Sequence, residues 1–238
     1  MQTVDFSRLK MQPHQRLLDL GCGEGRHSLG AYMLHEAIDV YGVDLSHRDL
    51  TTAAQRFREF DEPDNPRKRL SLAVADGLRL PFADNSFDRV VCAEVLEHIP
   101  DYRGMLREID RVLKPDGLLA ISVPRAWPER VCWALSEAYH RVEGGHIRIF
   151  NAAGLRRDVE NHGLRRYARH WAHALHVPFW WLKCLFWGRD NAFLVRQYHR
   201  FLVWDLMQKP RITRWLDRCL NPLMGKSVVM YFKRDVSL

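Results

Sequence analysis

"LLDLGCGEGRHSLG", residues 17–30, decides how this chain is read. Apolar residues run into Asp19, glycines follow at 21, 23 and 25, and Arg26 comes straight after the last of them. A strand that ends in alternating glycines and then opens a helix brings bare backbone against a ligand, with free N–H groups at the helix start. A nucleoside-triphosphate loop closes on Gly-Lys-Ser/Thr, and Gly25-Arg26-His27 does not. A dinucleotide turn requires G-x-G-x-x-G, but here the sixth position is Arg26 and the third glycine comes one residue early. Asp19 also falls two residues before the first glycine, where the dinucleotide pattern continues its apolar strand.

Outward from this turn, short apolar runs alternate with amphipathic stretches. "RLLDLG" (16–21), "DVYGVDL" (39–45), "LSLAVADG" (70–77), "FDRVVCAEVL" (87–96) and "GLLAISVP" (117–124) predict strands. Helices are expected over 26–35, from the cap at Ser46 to about Phe60, and after Asp101. The last of these carries Met105, Leu106, Ile109, Val112 and Leu113 at helical spacing, and "KPDG" (114–117) is expected to stop it. Strand and helix in alternation predict an α/β fold, a doubly wound, Rossmann-like, mostly parallel sheet covered on both faces. "LRRYARH" (164–170) and "SVVMYFKRD" (227–235) complete an expected seven strands. The predicted organisation is a core over 1–170, an aromatic and basic helical insertion over 171–226, and a final core strand within 227–238.

The D-x-G-x-G-x-G turn at a strand end resembles the first motif of the class I S-adenosylmethionine (SAM) methyltransferases. The resemblance continues in order along residues 16–165. Asp44, ending "YGVDLS", matches the acid after the second strand that holds the ribose hydroxyls, with Leu45 beside it. "ADGLRLPFADNSFD" (75–88) resembles the adenine-binding stretch, so Asp76, Gly77 and Leu78 are expected at the base. "VVCAEVLEHIPD" (90–101) resembles the segment bordering the methyl group, with Ala93 and Glu94 placed near the cofactor. "GGHIRIFN" (144–151) resembles an acceptor-lining segment of the ubiquinone/menaquinone-biosynthesis-like subgroup. The resemblance therefore implies SAM as cofactor, with Asp19, Gly21, Cys22, Gly23 and Gly25 around its methionine end. It implies transfer of a methyl group to a small acceptor.

A sulfonium methyl is already electrophilic, so the protein chiefly has to aim a nucleophile and keep water away. An oxygen or carbon acceptor can also require a base. His98, His146 and Glu94 are the catalytic candidates. Each has a plainer reading: His98 as a cap for the helix near Asp101, His146 as a loop tie, Glu94 as a group near the SAM amino end. For Asp76 before Gly77 the plainer reading is a turn, and Cys22 reads as a small buried residue. His170, His173 and His176 spread over too wide an arc for a metal site, and no metal is expected.

The formal charge is +7, and residues 171–226 hold nearly all of it, with nine Lys/Arg against three acids. A nucleic-acid binder spreads basic residues along its main domain, so this distribution argues against one. The same segment holds six of the eight tryptophans. Tryptophan, phenylalanine and leucine mixed with Lys/Arg suit either a roof over an apolar acceptor or a contact with an anionic membrane surface, and the two are compatible. No apolar run reaches the ~18 residues that span a bilayer. The five cysteines form no paired motif and fit a reducing cytoplasm, with peripheral contact at the inner face of a membrane as the added expectation. The rival functions are SAM binding without catalysis, an RNA methyltransferase, and a nucleotide-dependent oxidoreductase. Nothing in the sequence speaks to oligomeric state.

Overall fold

A computed structural model describes residues 2–34, 37–62, 64–142, 144–189 and 191–234. Its centre is a seven-stranded sheet of β1 (Arg16–Leu20), β2 (Ile38–Asp44), β3 (Lys68–Val74), β4 (Phe87–Ala93), β5 (Leu113–Pro124), β6 (Leu164–Ala172) and β7 (Ser227–Arg234). The order is β3-β2-β1-β4-β5-β7-β6, with β7 antiparallel to both its neighbours and every other pairing parallel. The chain reverses direction across the sheet between β1 and β4. That switch point opens a crevice at the carboxyl ends of the strands, where the glycine turn lies.

Side chains alternate between two cores, as strand periodicity requires. Leu18, Leu20, Val90, Cys92, Met230 and Phe232 face one cluster, completed by α3 (Tyr102–Val112) and α6 (Ala152–Glu160). Leu17, Val40, Val91, Ala120, Val229 and Tyr231 face the other, with Tyr32 of α1 (Arg26–Tyr32). The second face is also covered by Val4, Phe6, Leu9 and Met11, buried residues of an N-terminal segment that sequence reading passed over. This segment is tied down by Arg89, whose guanidinium donates to the Leu9 and Lys10 carbonyls.

Several boundaries differ from expectation. α1 ends at Tyr32, and His35 lies outside the described residues. α2 (His47–Phe57) is capped by Ser46 as expected. "KPDG" does not separate α3 from β5: the strand begins at Leu113 and pairs with Phe87, and the register shifts between Phe87 and Arg89. β6 runs to Ala172, into the expected insertion, because Trp171 and Ala172 pair with Val228 and Ser227. β7 is described to Arg234; Asp235 and the residues after it lie outside the described set.

Between β5 and β6 come α4 (Ala126–Leu135) and α5 (Glu137–Arg141), neither of them expected, and then α6. Between β6 and β7 come α7 (Val177–Leu185), α8 (Phe193–Gln208) and α9 (Arg211–Met224). These three are fastened to the turn after β6. Asp217 and Asn221 of α9 accept from the Leu175 and Ala174 N–H groups, and the Tyr198 hydroxyl of α8 donates to the Leu175 carbonyl. The orphan carbonyls ending α9 take donors from Arg125 and Trp127, so a cation sits where the helix dipole is negative. Among the described residues, no helix is long and apolar enough to cross a membrane.

Candidate cofactor and acceptor site

The turn after β1 is stitched to β2. The Gly21 and Cys22 N–H groups both donate to the Val43 carbonyl, at 2.8 and 3.0 Å. Gly21, Gly23 and Gly25 all lie at positive φ, between 51 and 79°. At Gly21 a Cβ would stand 2.4 Å from a Val95 methyl, so only glycine fits there. At Gly23 a Cβ would meet nothing within 4 Å, so this backbone borders open space where a ligand can approach.

Asp44 is the hinge of the site. Its Oδ2 accepts from the Gly23 N–H and its Oδ1 from the Ser46 N–H, both at 2.8 Å. One carboxylate thus fixes the glycine turn and the start of α2, and each oxygen keeps a lone pair for a sugar hydroxyl. Around it Leu45, Val74 and Leu78 stand 64, 54 and 36% exposed, apolar surface at the carboxyl ends of β2 and β3 that a flat base can cover.

Asp19 is placed differently from its neighbours. It is buried within the protein and accepts from the Ser28 hydroxyl at 2.6 Å, bracing β1 against α1. Burial pushes its carboxyl up to about 6. Cys22 is buried, and burial raises its thiol, which removes thiolate character. Asp76 accepts from the Leu78 N–H at 2.9 Å, making a turn, and its side chain stays exposed at the carboxyl end of β3. Gly77 packs against α3, where a Cβ would strike the Met105 methyl at 2.3 Å.

Past Ala93, which ends β4, Glu94 adopts φ 57°, an uncommon left-handed conformation for a residue with a side chain. It is held by Ser122, whose hydroxyl donates to Oε1 at 2.8 Å, and its Oε2 lies 3.9 Å from Lys226 Nζ. His98 does not cap the helix at Asp101; Asp101 caps α3 itself by accepting from the Gly104 N–H. His98 instead directs Nδ1 to the Gly145 carbonyl at 3.1 Å, and burial lowers its pKa. His146 pairs through Nδ1 with Glu129 Oε1 at 2.6 Å, a hydrogen bond that ties its loop to α4. Burial opposes charge on Glu129, yet the His146 partner holds its carboxyl below the usual range. The two imidazoles stand 5.0 Å apart.

His98 and His146 open onto a cavity of about 240 Å³, whose walls include Tyr139, Trp180, Trp187 and Lys226. Glu129, Tyr139 and Lys226 went unread in the sequence because they meet only in the folded chain. Trp180 and Trp187 were noted as insertion aromatics, and α7 with the turn after it delivers them here. Glu97 was also missed and lies behind the histidines, fully buried.

A doubly wound sheet, a glycine turn and an acid after β2 are an arrangement shared with class I SAM-dependent methyltransferase domains. Comparison with known proteins agrees: residues 18–121 match the family model described as a methyltransferase domain, and SAM is the cofactor of that domain. The chain is 35% identical over 137 residues to methyltransferase GfsG of Streptomyces halstedii, covering 56% of this chain and 47% of that one. It is 34% identical over 113 residues to 27-O-demethylrifamycin SV methyltransferase of Amycolatopsis mediterranei, covering 48% and 40%. A demethylmenaquinone methyltransferase of Lactobacillus johnsonii is 35% identical over 117 residues, covering 49% and 46%. The chain therefore spans about half the length, or less, of the curated relatives it matches. Among solved structures, a methyltransferase-like protein of Bacillus halodurans superposes with TM-score 0.63 at 18% identity, covering 95% of each chain. The [4+2]-cyclase SpnF does so with TM-score 0.63 at 19% identity over 98% of this chain and 79% of its own, so the fold alone does not fix the reaction.

Proposed function

We propose that this chain transfers the methyl group of SAM to an oxygen or carbon of a small, lipophilic or aromatic acceptor. The observation that carries the reading is physical continuity between two sites. The glycine turn abuts Val95, the neighbour of Glu94; Glu94 lies 3.9 Å from Lys226; and Lys226 lines the aromatic cavity. A donor seated at Gly23 and Asp44 and an acceptor seated among Tyr139, Trp180 and Trp187 would meet at Glu94. The relatives that methylate a rifamycin and a menaquinone precursor support an acceptor of this kind.

SAM held there would supply an electrophilic methyl group to an acceptor lone pair, the C–S bonding pair leaving with sulfur as a neutral thioether. A hydroxyl acceptor would lose its proton, and His98, whose charged form burial disfavours and whose Nδ1 is taken by the Gly145 carbonyl, would receive it at Nε2. Glu94, gripped by Ser122 and facing Lys226, fits a role in holding the donor's cationic amino end. The core over 1–170 would bind the donor. The helices that follow β6 would roof the acceptor through Trp180 and Trp187.

A specific observation favours a further role for those helices. α8 and α9 expose Phe193, Trp204, Met207, Ile212, Trp215 and Leu223, each at 47% or more, on a segment that carries Arg196, Arg200, Arg211, Arg214 and Arg218. Apolar and aromatic groups among cations suit an anionic membrane surface, from which a lipophilic acceptor would be collected.

Replacing Asp44 by Ala tests the donor site. Losing the acceptor of two sugar hydroxyls, at about 1.5 kcal/mol or more each, predicts SAM affinity weakened at least ~100-fold by calorimetry. Unchanged affinity would overturn the site. Methyl-labelled SAM offered with phenols, hydroquinones and polyketides should label an acceptor. Bound SAM left unconsumed with every acceptor would support binding without catalysis.

A further inference from the structure

We propose that Glu97, His98 and His146 bind one divalent transition-metal cation at the floor of the acceptor cavity, and that the cation takes up an oxygen of the acceptor. The starting point is Glu97, which lies on the short turn of 3-10 helix Leu96–His98 that follows β4. Its side chain is completely buried, and among the described residues neither carboxylate oxygen has a hydrogen-bond partner. A buried carboxylate with two orphan oxygens is costly unless it is protonated or meets a cation.

What surrounds Glu97 is a ligand set. One donor atom each from Glu97, His98 and His146 lie within 4.8 Å of one another. Each imidazole is already oriented through its other nitrogen, Nδ1 of His98 by the Gly145 carbonyl and Nδ1 of His146 by the Glu129 carboxylate. An N–H given outward to a carbonyl or carboxylate leaves Nε2 with its lone pair, the arrangement that metal-binding histidines show. Glu129 is fixed in turn by the Trp133 indole at 3.1 Å and the Tyr139 hydroxyl at 3.4 Å. Ligand bonds of ~2.1 Å bring cis donors to ~3 Å, a contraction that side-chain rotation supplies.

Two imidazoles and one carboxylate suit Mn²⁺, Fe²⁺, Co²⁺ or Zn²⁺ and leave positions open for water or substrate. The histidines line the cavity and Glu97 lies behind them, so the open positions face the acceptor. The role toward the acceptor rests on the methyl-transfer reading; the cation site does not. An acceptor hydroxyl bound there loses its proton to solvent water, because the cation lowers its pKa. The resulting oxygen anion attacks the sulfonium methyl, the C–S pair returns to sulfur, and a methyl ether and a neutral thioether leave.

The test uses the full chain stripped with chelator, then titrated with Mn²⁺ by electron paramagnetic resonance and with Zn²⁺ by calorimetry. One ion per chain is expected, weakened at least 30-fold by Glu97→Gln and by His146→Gln. Zn²⁺ should raise the melting temperature of the wild type and not that of Glu97→Gln. SAM affinity is measured on every sample and should be kept, which shows that the variants fold. A wild type that binds neither ion, or variants that bind as tightly as the wild type, overturns the proposal. Ion binding without SAM binding would sink the methyl-transfer reading and leave the cation site standing, and the converse result would do the reverse.

Discussion

Lowering the pH should peel the N-terminal segment from α1, and His27 sets the size of the effect. His27 is buried in the first turn of α1, where its Nε2 accepts from the Thr3 N–H at 3.1 Å and, more weakly, from the Val4 N–H at 3.4 Å. Burial, then the adjacent Arg26 charge, pushes its pKa from 6.5 down to about 4. A proton on Nε2 would abolish both bonds. Because the folded value lies below the unfolded one, the unfolded chain binds more protons between these limits. The stabilisation is complete above pH 6.5 and drains away as the pH falls to about 4, a loss of ~3 kcal/mol. His173, pushed down to about 3 by burial and bonded to the Thr3 hydroxyl at 3.0 Å, acts with the same sign. Asp19 acts against them: its carboxyl, raised from 3.8 to about 6, favours the folded state as the pH falls through that interval. The total curve therefore hides the effect, and a difference between proteins is needed. Urea unfolding followed by tryptophan fluorescence from pH 8 to pH 4.5 should show wild type more stable than His27→Gln by ~1–2 kcal/mol at pH 8, with the gap closing as the pH falls. Curves that stay parallel across this range would refute the reasoning.

Two further predictions rest on single contacts. Gly21→Ala places a Cβ 2.4 Å from Val95 at φ 70°; it should cost at least ~1 kcal/mol and weaken SAM binding tenfold or more, and a normal melting temperature with normal affinity would contradict the turn described. Trp204→Ser with Met207→Ser removes two exposed apolar side chains from α8 and should cut retention on phosphatidylglycerol vesicles about tenfold, an effect weakened by salt; equal retention of both proteins would remove the membrane contact.

What could be read from the sequence was whatever the chain states locally. The alternation of strands and helices, the Ser46 cap and the alternate glycines at 21, 23 and 25 are near-neighbour patterns, whereas Asp44, 21 residues beyond the Gly23 it holds, was reached through the resemblance. The "KPDG" run misled because turn composition says nothing of the strand alongside, and here β4 pairs across it. The N-terminal segment was passed over because Val4, Phe6, Leu9 and Met11 show no clear period; they are buried by packing on Tyr32 and Tyr231, far off in sequence. The acceptor site was half legible. His98, His146 and Glu94 are chemically conspicuous, but nothing near Glu97 in the sequence says that it lies fully buried, or that Glu129 of an unexpected helix reaches His146.

The two uses found for His98 compete, because its Nε2 cannot ligate a cation and accept a proton in the same turnover. The surroundings of the pair weigh on this choice. Glu129, itself held by Trp133 and Tyr139, locks the His146 ring, and the Gly145 carbonyl fixes His98, an orientation that serves a general base as well as a ligand. What favours the cation is the third member beside the rings, a buried carboxylate with empty oxygens, which a base does not require. The distinction can be measured. If His98 is the base, transfer survives chelation and fails as the pH falls below its depressed pKa. If the pair holds a cation, chelation stops transfer at every pH, and added Mn²⁺ or Zn²⁺ restores it in the wild type but not in Glu97→Gln, a residue a His98 base would have no use for.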